Sequence, residues 1–182
     1  MVYLNTINKK EQKNTMIAVL ASNKKEFMTK LLTSDIFDNF LVEEATIDTF
    51  NTFHIDGKIH KDFYKNDGEY SDDMPLLDYS KWSDLRSICF DLIKGKRTPL
   101  SFKFTFHPGQ AMKNEVLEKA GLNINPEDVL LGLNIRFSNG NIILTTGCAF
   151  KIFSLDKTIE KAWDEFIPSF LELSNIETKE YE

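Results

Sequence analysis

Two histidines and two aspartates in the stretch TFHIDGKIHKDF all fall at even-numbered positions, so an extended chain would carry them on one face. Two histidines and a carboxylate can hold a zinc or ferrous ion and leave open positions for a substrate. The pattern therefore predicts a candidate metal site at His54, His60 and Asp62. Polar residues on a solvated strand face produce the same pattern, and no tight ligand spacing such as HExxH supports the metal.

A second candidate is the basic turn in LIKGKRTPLSFKF, which separates an apolar helical pattern from an alternating aromatic one. Lys94, Lys96, Arg97 and Lys103 predict a patch that binds an anion. The alternative is that the turn only ends a helix. Gly95 is the residue type expected at a left-handed C-cap, and lysines near a helix C-terminus interact favourably with its dipole.

Several better-defined motifs are excluded. A phosphate-binding P-loop needs a glycine five positions before its Gly-Lys pair, where this chain has Phe90. An EF-hand aligned on Gly68 would put Phe63 at the first calcium-ligand position. No serine lies in a GxSxG turn, and no cysteine adjoins a histidine in sequence, so no motif supports covalent catalysis. His107, beside Pro108, is interpreted as a loop residue rather than a general base.

Hydrophobic periodicity predicts the elements that position these residues. Helices are expected at residues 23–32, 80–94, 109–120 and from 156 onwards, and strands at residues 17–21, within 40–63, at 100–107 and in a hairpin from 129 to 153. Asn23 with Glu26 suggests a capping box, Ser80 an N-cap and Gly121 a C-terminal stop. Pro168 is expected to kink the last helix, because it has no backbone N–H to donate.

Two hairpins are predicted from their turn residues. Asn139-Gly140 calls for a two-residue turn that pairs Phe137 with Ile142. For Asp56-Gly57, a three-residue loop with Gly57 in the left-handed conformation would pair Phe53 with Ile59. In that register His54 and His60 would be diagonal neighbours within reach of one metal ion.

The element order βαββα followed by βαββα predicts an α+β fold in which antiparallel hairpins pack against helices, with a tandem pseudo-repeat as a hypothesis. We expect a single domain over residues 16–174, a flexible leader over 1–15, an acidic loop at 64–79 and a flexible tail over 175–182. Met16 is a candidate start.

Composition narrows the class of protein. The 182-residue chain is 42% hydrophobic and carries a net charge of −6, so general binding to a phosphate backbone is disfavoured unless a local patch outweighs the total. No apolar run is long enough for a transmembrane helix, and the polar N-terminus does not resemble a signal peptide, which predicts a cytoplasmic protein with no membrane contact. Both cysteines lie on apolar faces and are interpreted as reduced core residues.

Four segments carry a resemblance to a known family: TFNTFHIDGKIHKDFY, LIKGKRTPLSFKF, LNIRFSNGNIILTTG and DKTIEKAWDEF. They are similar to an uncharacterised bacterial family of unknown function, most familiar from clostridia-like Gram-positive bacteria. The resemblance covers residues 16–173 and implies an intracellular bacterial protein, without a catalytic assignment to transfer.

The sequence thus predicts a non-enzymatic binding module for a protein or an acidic ligand, with no cofactor. Two alternatives stay open: a nucleic-acid or phosphate-binding protein that uses the basic patch, and a metal-dependent enzyme at the two histidines. A homodimer is the default expectation, because exposed strand edges and fifteen phenylalanines need covering.

Overall fold

The computed structural model describes residues 16–64, 77–151, 154 and 156–181. These residues form helices α1 (Lys24–Thr33), α2 (Trp82–Ile93), α3 (Gln110–Ala120) and α4 (Thr158–Leu173). The strands are β1 (Ala18–Ala21), β2 (Phe40–Asp48), β3 (Thr52–Asp56), β4 (Ser101–Pro108), β5 (Val129–Ser138), β6 (Asn141–Phe150) and β7 (Thr178–Glu180). None of the helices in these ranges has both the length and the apolar composition that a bilayer crossing requires.

The seven described strands make one antiparallel sheet in the order β3-β2-β4-β5-β6-β1-β7, which confirms the α+β fold. The repeated element order βαββα is also present. However, β4, β5 and β6 of the second unit are neighbours, whereas β1 and β2 of the first unit lie on opposite sides of them. The two units therefore do not occupy equivalent positions in the sheet.

One face of the sheet is apolar and buried, because β4 alternates as its sequence predicts. Phe102, Phe104 and Phe106 are buried, while Lys103 between them is exposed on the other face. Trp82 of α2 packs its ring 5.2 Å from Phe104, and its indole N–H donates to a carbonyl of α1 at 2.8 Å. The buried residues of all four helices join this same core, so the opposite face of the sheet carries the polar side chains.

The hairpin at Asn139-Gly140 is confirmed. Asn139 has φ 51° and Gly140 φ 76°, the two left-handed residues that a type I′ turn requires. Phe137 lies opposite Ile142 as predicted. A chain reversal of this kind is fixed by its two turn residues, so a local signal was sufficient.

The predicted bulged hairpin at Asp56-Gly57 is wrong. The turn lies instead at residues 49–51, between β2 and β3, and Phe53 pairs with Ile47 rather than with Ile59. Gly57 has no left-handed φ; its N–H donates to the carbonyl of Glu43 at 2.9 Å, at the point where β2 bulges. A side chain at position 57 would collide with that bulge, so glycine is needed for close approach and not for a turn.

Two smaller predictions also differ. Ser80 does not cap α2: its N–H and carbonyl bond the carbonyl of Gly57 and the N–H of Val42, extending the sheet edge. Residues 178–180, predicted within a flexible tail, form β7 and pair with β1. Pro168 lies inside helix α4, and the kink expected there stays a prediction. The predicted leader and residues 65–76 of the acidic loop lie outside the described residues.

Candidate functional site

A cleft of about 560 Å³ opens between α1 and the loop that leads from α2 into β4, and the turn of the β5–β6 hairpin borders it. We call it the basic cleft. Its lining residues are Lys24, Lys25, Met28, Leu32, Ile93, Lys94, Gly95, Lys96, Arg97, Thr98, Pro99, Phe102, Phe137, Gly140 and Ile142.

The interior surface of the basic cleft is mainly apolar. Phe102 and Phe137 lie opposite each other on β4 and β5, with ring centroids 5.3 Å apart and ring planes 23° apart. Phe137 is only half-buried, as are Met28 from α1 and Ile93 from α2. An apolar group that entered the cleft would therefore displace water from exposed hydrophobic surface.

Positive charge surrounds this apolar surface. Five of the lining residues are lysine or arginine, and no aspartate or glutamate of the described part of the chain lines the cleft. Lys24 donates from Nζ to the carbonyl of Gly140 at 2.5 Å, and Lys94 pairs with Asp91 at 2.6 Å. Lys25, Lys96 and Arg97 make no ion pair with any residue that the structure describes. Within the described residues, no carboxylate neutralises these three charges.

The loop that carries these charges is shaped by its glycine and proline. Helix α2 ends at Ile93, one residue earlier than predicted, and Lys94 is already extended. Gly95 has φ 145°, a conformation that residues with side chains rarely adopt, although not the left-handed helical one that was predicted. Pro99 then fixes the backbone before β4. The stretch thus ends a helix and also contributes to a cleft.

One residue of the predicted anion-binding set lies away from the basic cleft, and two further lysines line it. Lys103 projects from the opposite face of the sheet, where its Nζ contacts Glu44 at 2.6 Å and this hydrogen bond lowers the pKa of Glu44. Lys24 and Lys25, from the first turn of α1, were missed and line the cleft with Lys94, Lys96 and Arg97. Two lysines directly after an N-cap are electrostatically unfavourable for a helix, which was the available signal.

The residues of the predicted metal site do not assemble. His54 lies on β3, with Nδ1 3.1 Å from the hydroxyl of Thr46. His60 follows the end of β3, and Asp62 belongs to a 3-10 turn at Lys61–Tyr64. The register that would have made the histidines diagonal neighbours is not formed. In residues 16–64, 77–151, 154 and 156–181, no three histidine, cysteine or carboxylate side chains lie close enough to share a metal ion.

Comparison with known proteins identifies a family. The profile described as "Family of unknown function (DUF5721)" matches residues 30–179. The chain belongs to the DUF5721 family. This confirms the unknown-function family predicted from the four sequence segments. No curated protein and no solved structure matches the chain.

The DUF5721 match covers most of the basic cleft. It contains the loop at residues 94–99 and the cleft residues on β4, β5 and β6. It begins after Lys24 and Lys25, which complete the cleft from the side of α1. Those two lysines therefore lie beyond the part of this chain that the family profile matches.

His107 was the other residue considered for acid–base chemistry in this DUF5721 chain. Its Nδ1 lies 2.8 Å from the carbonyl oxygen of Leu131, and its Nε2 lies 2.7 Å from a carboxylate oxygen of Glu43. Both ring nitrogens are therefore engaged in contacts within the sheet. Neither nitrogen is free to take a proton from a substrate, and His107 instead ties three strands together.

The two cysteines of the DUF5721 chain do not form a nucleophilic site. Cys89 is buried in α2, and burial raises the pKa of its thiol to about 12. Cys148 is half-buried on β6, and burial, followed by the nearby carboxylates of Glu160 and Asp164, raises its thiol pKa to about 12. Thiols held in this state are poor nucleophiles at neutral pH.

Proposed function

We propose that this protein is a non-enzymatic binding module that holds an acidic ligand in the basic cleft. One observation carries the proposal: among the residues that the structure describes, five cationic side chains and no carboxylate line the cleft. Three of these cations, Lys25, Lys96 and Arg97, have no ion-pair partner in the described part of the chain. Like charges converging on a concave surface raise the local positive potential, which a bound anion would offset.

The position of α1 strengthens this potential. Lys24 and Lys25 occupy the first helical turn, where the N-terminal end of the helix dipole is already positive. Only Glu26 offsets them in that turn, and its side chain pairs with Lys30 at 2.8 Å. An anion between α1 and the loop at residues 94–97 would interact with both sources of positive charge.

The chemistry of the lining residues supports binding over catalysis. The residues around the cleft include no histidine, cysteine, aspartate or glutamate within the described ranges. These are the side chains that most often serve as acids, bases or nucleophiles. Lysine and arginine instead recognise phosphate or carboxylate through charge-assisted hydrogen bonds.

The test is titration calorimetry with inorganic pyrophosphate as the probe, at low salt and at about 0.3 M sodium chloride. The intact protein should bind pyrophosphate at low salt and more weakly at high salt. The double variant Lys96→Glu, Arg97→Glu should lose this binding. Absence of binding to the intact protein, or equal affinity in the double variant, would overturn the proposal.

A matched control variant tests whether binding depends on the charges in the cleft or on the net charge of the protein. Lys58→Glu with Lys179→Glu makes the same change in net charge at two exposed lysines that do not line the cleft. Under the proposal, this control binds pyrophosphate as the intact protein does. If the control loses binding to the same extent, the cleft is not the site.

The proposal also includes the cellular location, the source and the oligomeric state of the protein. We propose a cytoplasmic protein, since two unpaired cysteines are typical of a reducing compartment. The resemblance in the four sequence segments supports a bacterial source. A homodimer is proposed from β3 and β7, the two edges of the described sheet, because an edge strand offers backbone groups to a partner.

A further inference from the structure

We infer that the basic cleft takes a small molecule that joins a phosphate to an aromatic ring, the chemistry of a nucleoside monophosphate. This inference rests on the proposed function and specifies its ligand. It follows from the size of the cleft, from its combination of apolar surface and cationic side chains, and from the charge of the rest of the chain.

Size favours a small ligand. The cleft volume of about 560 Å³ falls within the roughly 300–1,000 Å³ typical of sites for small molecules. A mononucleotide fits this scale. A nucleic-acid strand requires a positively charged groove that continues along several phosphates.

The apolar surface favours an aromatic group over a bare anion. Inorganic phosphate would contact the lysines and the arginine but would leave the exposed parts of Met28, Ile93 and Phe137 in water. Phe137 is held in place by stacking against the buried ring of Phe102. A fixed and partly exposed ring provides a surface on which a planar group can stack.

The cations are distributed so that one phosphate can contact several elements. Lys24 and Lys25 approach from α1, and Lys94, Lys96 and Arg97 approach from the end of α2 and the loop after it. The contact of Lys24 with Gly140 links α1 to the β5–β6 turn beside the cleft. A phosphate bound there would contact several separate elements of the fold.

The remaining charge of the chain disfavours a long polyanion. The net charge is −6, so a strand that extended beyond the cleft would meet an acidic protein. Lys103, which could have extended the basic surface, lies on the other face of the sheet and is paired with Glu44. A compact phosphate ester avoids this repulsion.

The experiment is calorimetry of the intact protein with four probes: adenosine 5′-monophosphate, ribose 5-phosphate, adenosine and a single-stranded oligonucleotide. We expect the monophosphate to bind about tenfold more tightly than ribose 5-phosphate, because only the former adds ring stacking to the phosphate contacts. Adenosine should bind weakly or not at all. The oligonucleotide should not exceed the monophosphate in affinity.

Two variants measure how much the cationic side chains and the Phe137 ring each contribute to binding. Lys96→Glu with Arg97→Glu should abolish binding of both phosphate probes. Phe137→Leu keeps an apolar side chain but removes the ring, so it should lower affinity for the monophosphate several-fold and leave ribose 5-phosphate unchanged. A thermal melt of each variant verifies that it is folded.

The outcomes separate the two proposals. Equal affinity for the monophosphate and ribose 5-phosphate overturns the aromatic ligand and leaves the anion-binding function intact. Tighter binding of the oligonucleotide, lost on charge reversal in the cleft, does the same and indicates a nucleic-acid ligand. If neither pyrophosphate nor any phosphate probe binds, both proposals fail together.

Discussion

The backbone of Gly57 lies so close to the carbonyl of Val42 that an ideal β-carbon at position 57 would stand 1.8 Å from that oxygen. The contact arises where β2 bulges and the N–H of Gly57 bonds the carbonyl of Glu43. No side-chain rotation can relieve a collision between a β-carbon and backbone. The bulge and this glycine are therefore structurally interdependent.

Gly57→Ala should lower the free energy of unfolding by about 3 kcal/mol or more, because the backbone must shift to admit the methyl group. Gly147→Ala is the matched control, since an added β-carbon there meets no atom within 4 Å and the residue has no left-handed φ. It should be neutral or stabilise the protein by up to about 1 kcal/mol. Urea denaturation measures both changes, and similar losses in the two variants would contradict the close-approach argument.

His107→Gln should destabilise the protein by about 1–3 kcal/mol, because the single amide nitrogen of glutamine cannot replace two ring nitrogens that contact Leu131 and Glu43 in different directions. Glu43→Gln keeps an acceptor for the imidazole and should cost less. Chemical denaturation of both single variants and the double variant gives the coupling free energy between the two positions. A coupling energy near zero would mean that the Glu43 contact does not contribute.

Asp164→Asn should change how stability depends on pH. Burial raises the pKa of Asp164 in the folded protein, although hydrogen bonds from the Thr146 hydroxyl and the Ile17 backbone lower it. The folded state therefore binds the proton more tightly than the unfolded state, whose aspartate pKa is about 3.9. Its stabilising contribution is complete below that pKa and is lost as pH rises through the higher folded pKa. The difference in unfolding free energy between wild type and Asp164→Asn should fall as pH rises from the unfolded to the folded pKa. A difference that rises with pH would contradict a raised pKa of Asp164.

Both thiols should react slowly with a disulfide reagent at about pH 8, where thiols with a pKa of about 12 are almost entirely protonated. Cys89 should react more slowly than Cys148, since it is fully buried. Single Cys→Ala variants show which thiol gives which kinetic phase of the reaction. Unfolding in urea should make both thiols react fast. Rapid reaction of Cys89 in the native protein would show that α2 opens readily.

Much of the architecture could be predicted because it depends on neighbours in sequence. Asn139-Gly140 specifies its turn through two left-handed residues, and Gly121 ends α3 in the same conformation. Ile159, Trp163 and Ile167 recur at helical spacing and are buried on α4. The alternation along β4 likewise places Lys103 on the opposite face of the sheet from Phe102. This parity alone could have removed that lysine from the predicted patch.

The basic cleft could not be predicted in full, because its walls come from distant parts of the chain. The sequence by itself determined the basic loop at residues 94–97, the glycine that shapes it and the helices and strands on either side. Only the tertiary structure decided that Lys24 and Lys25 face this loop, that Gly57 supports a bulge, and that the two histidines stay apart. Turns and periodic faces arise from local sterics and hydrophobicity. Strand order and register depend instead on which distant surfaces bury one another, and one sequence pattern is compatible with several such pairings.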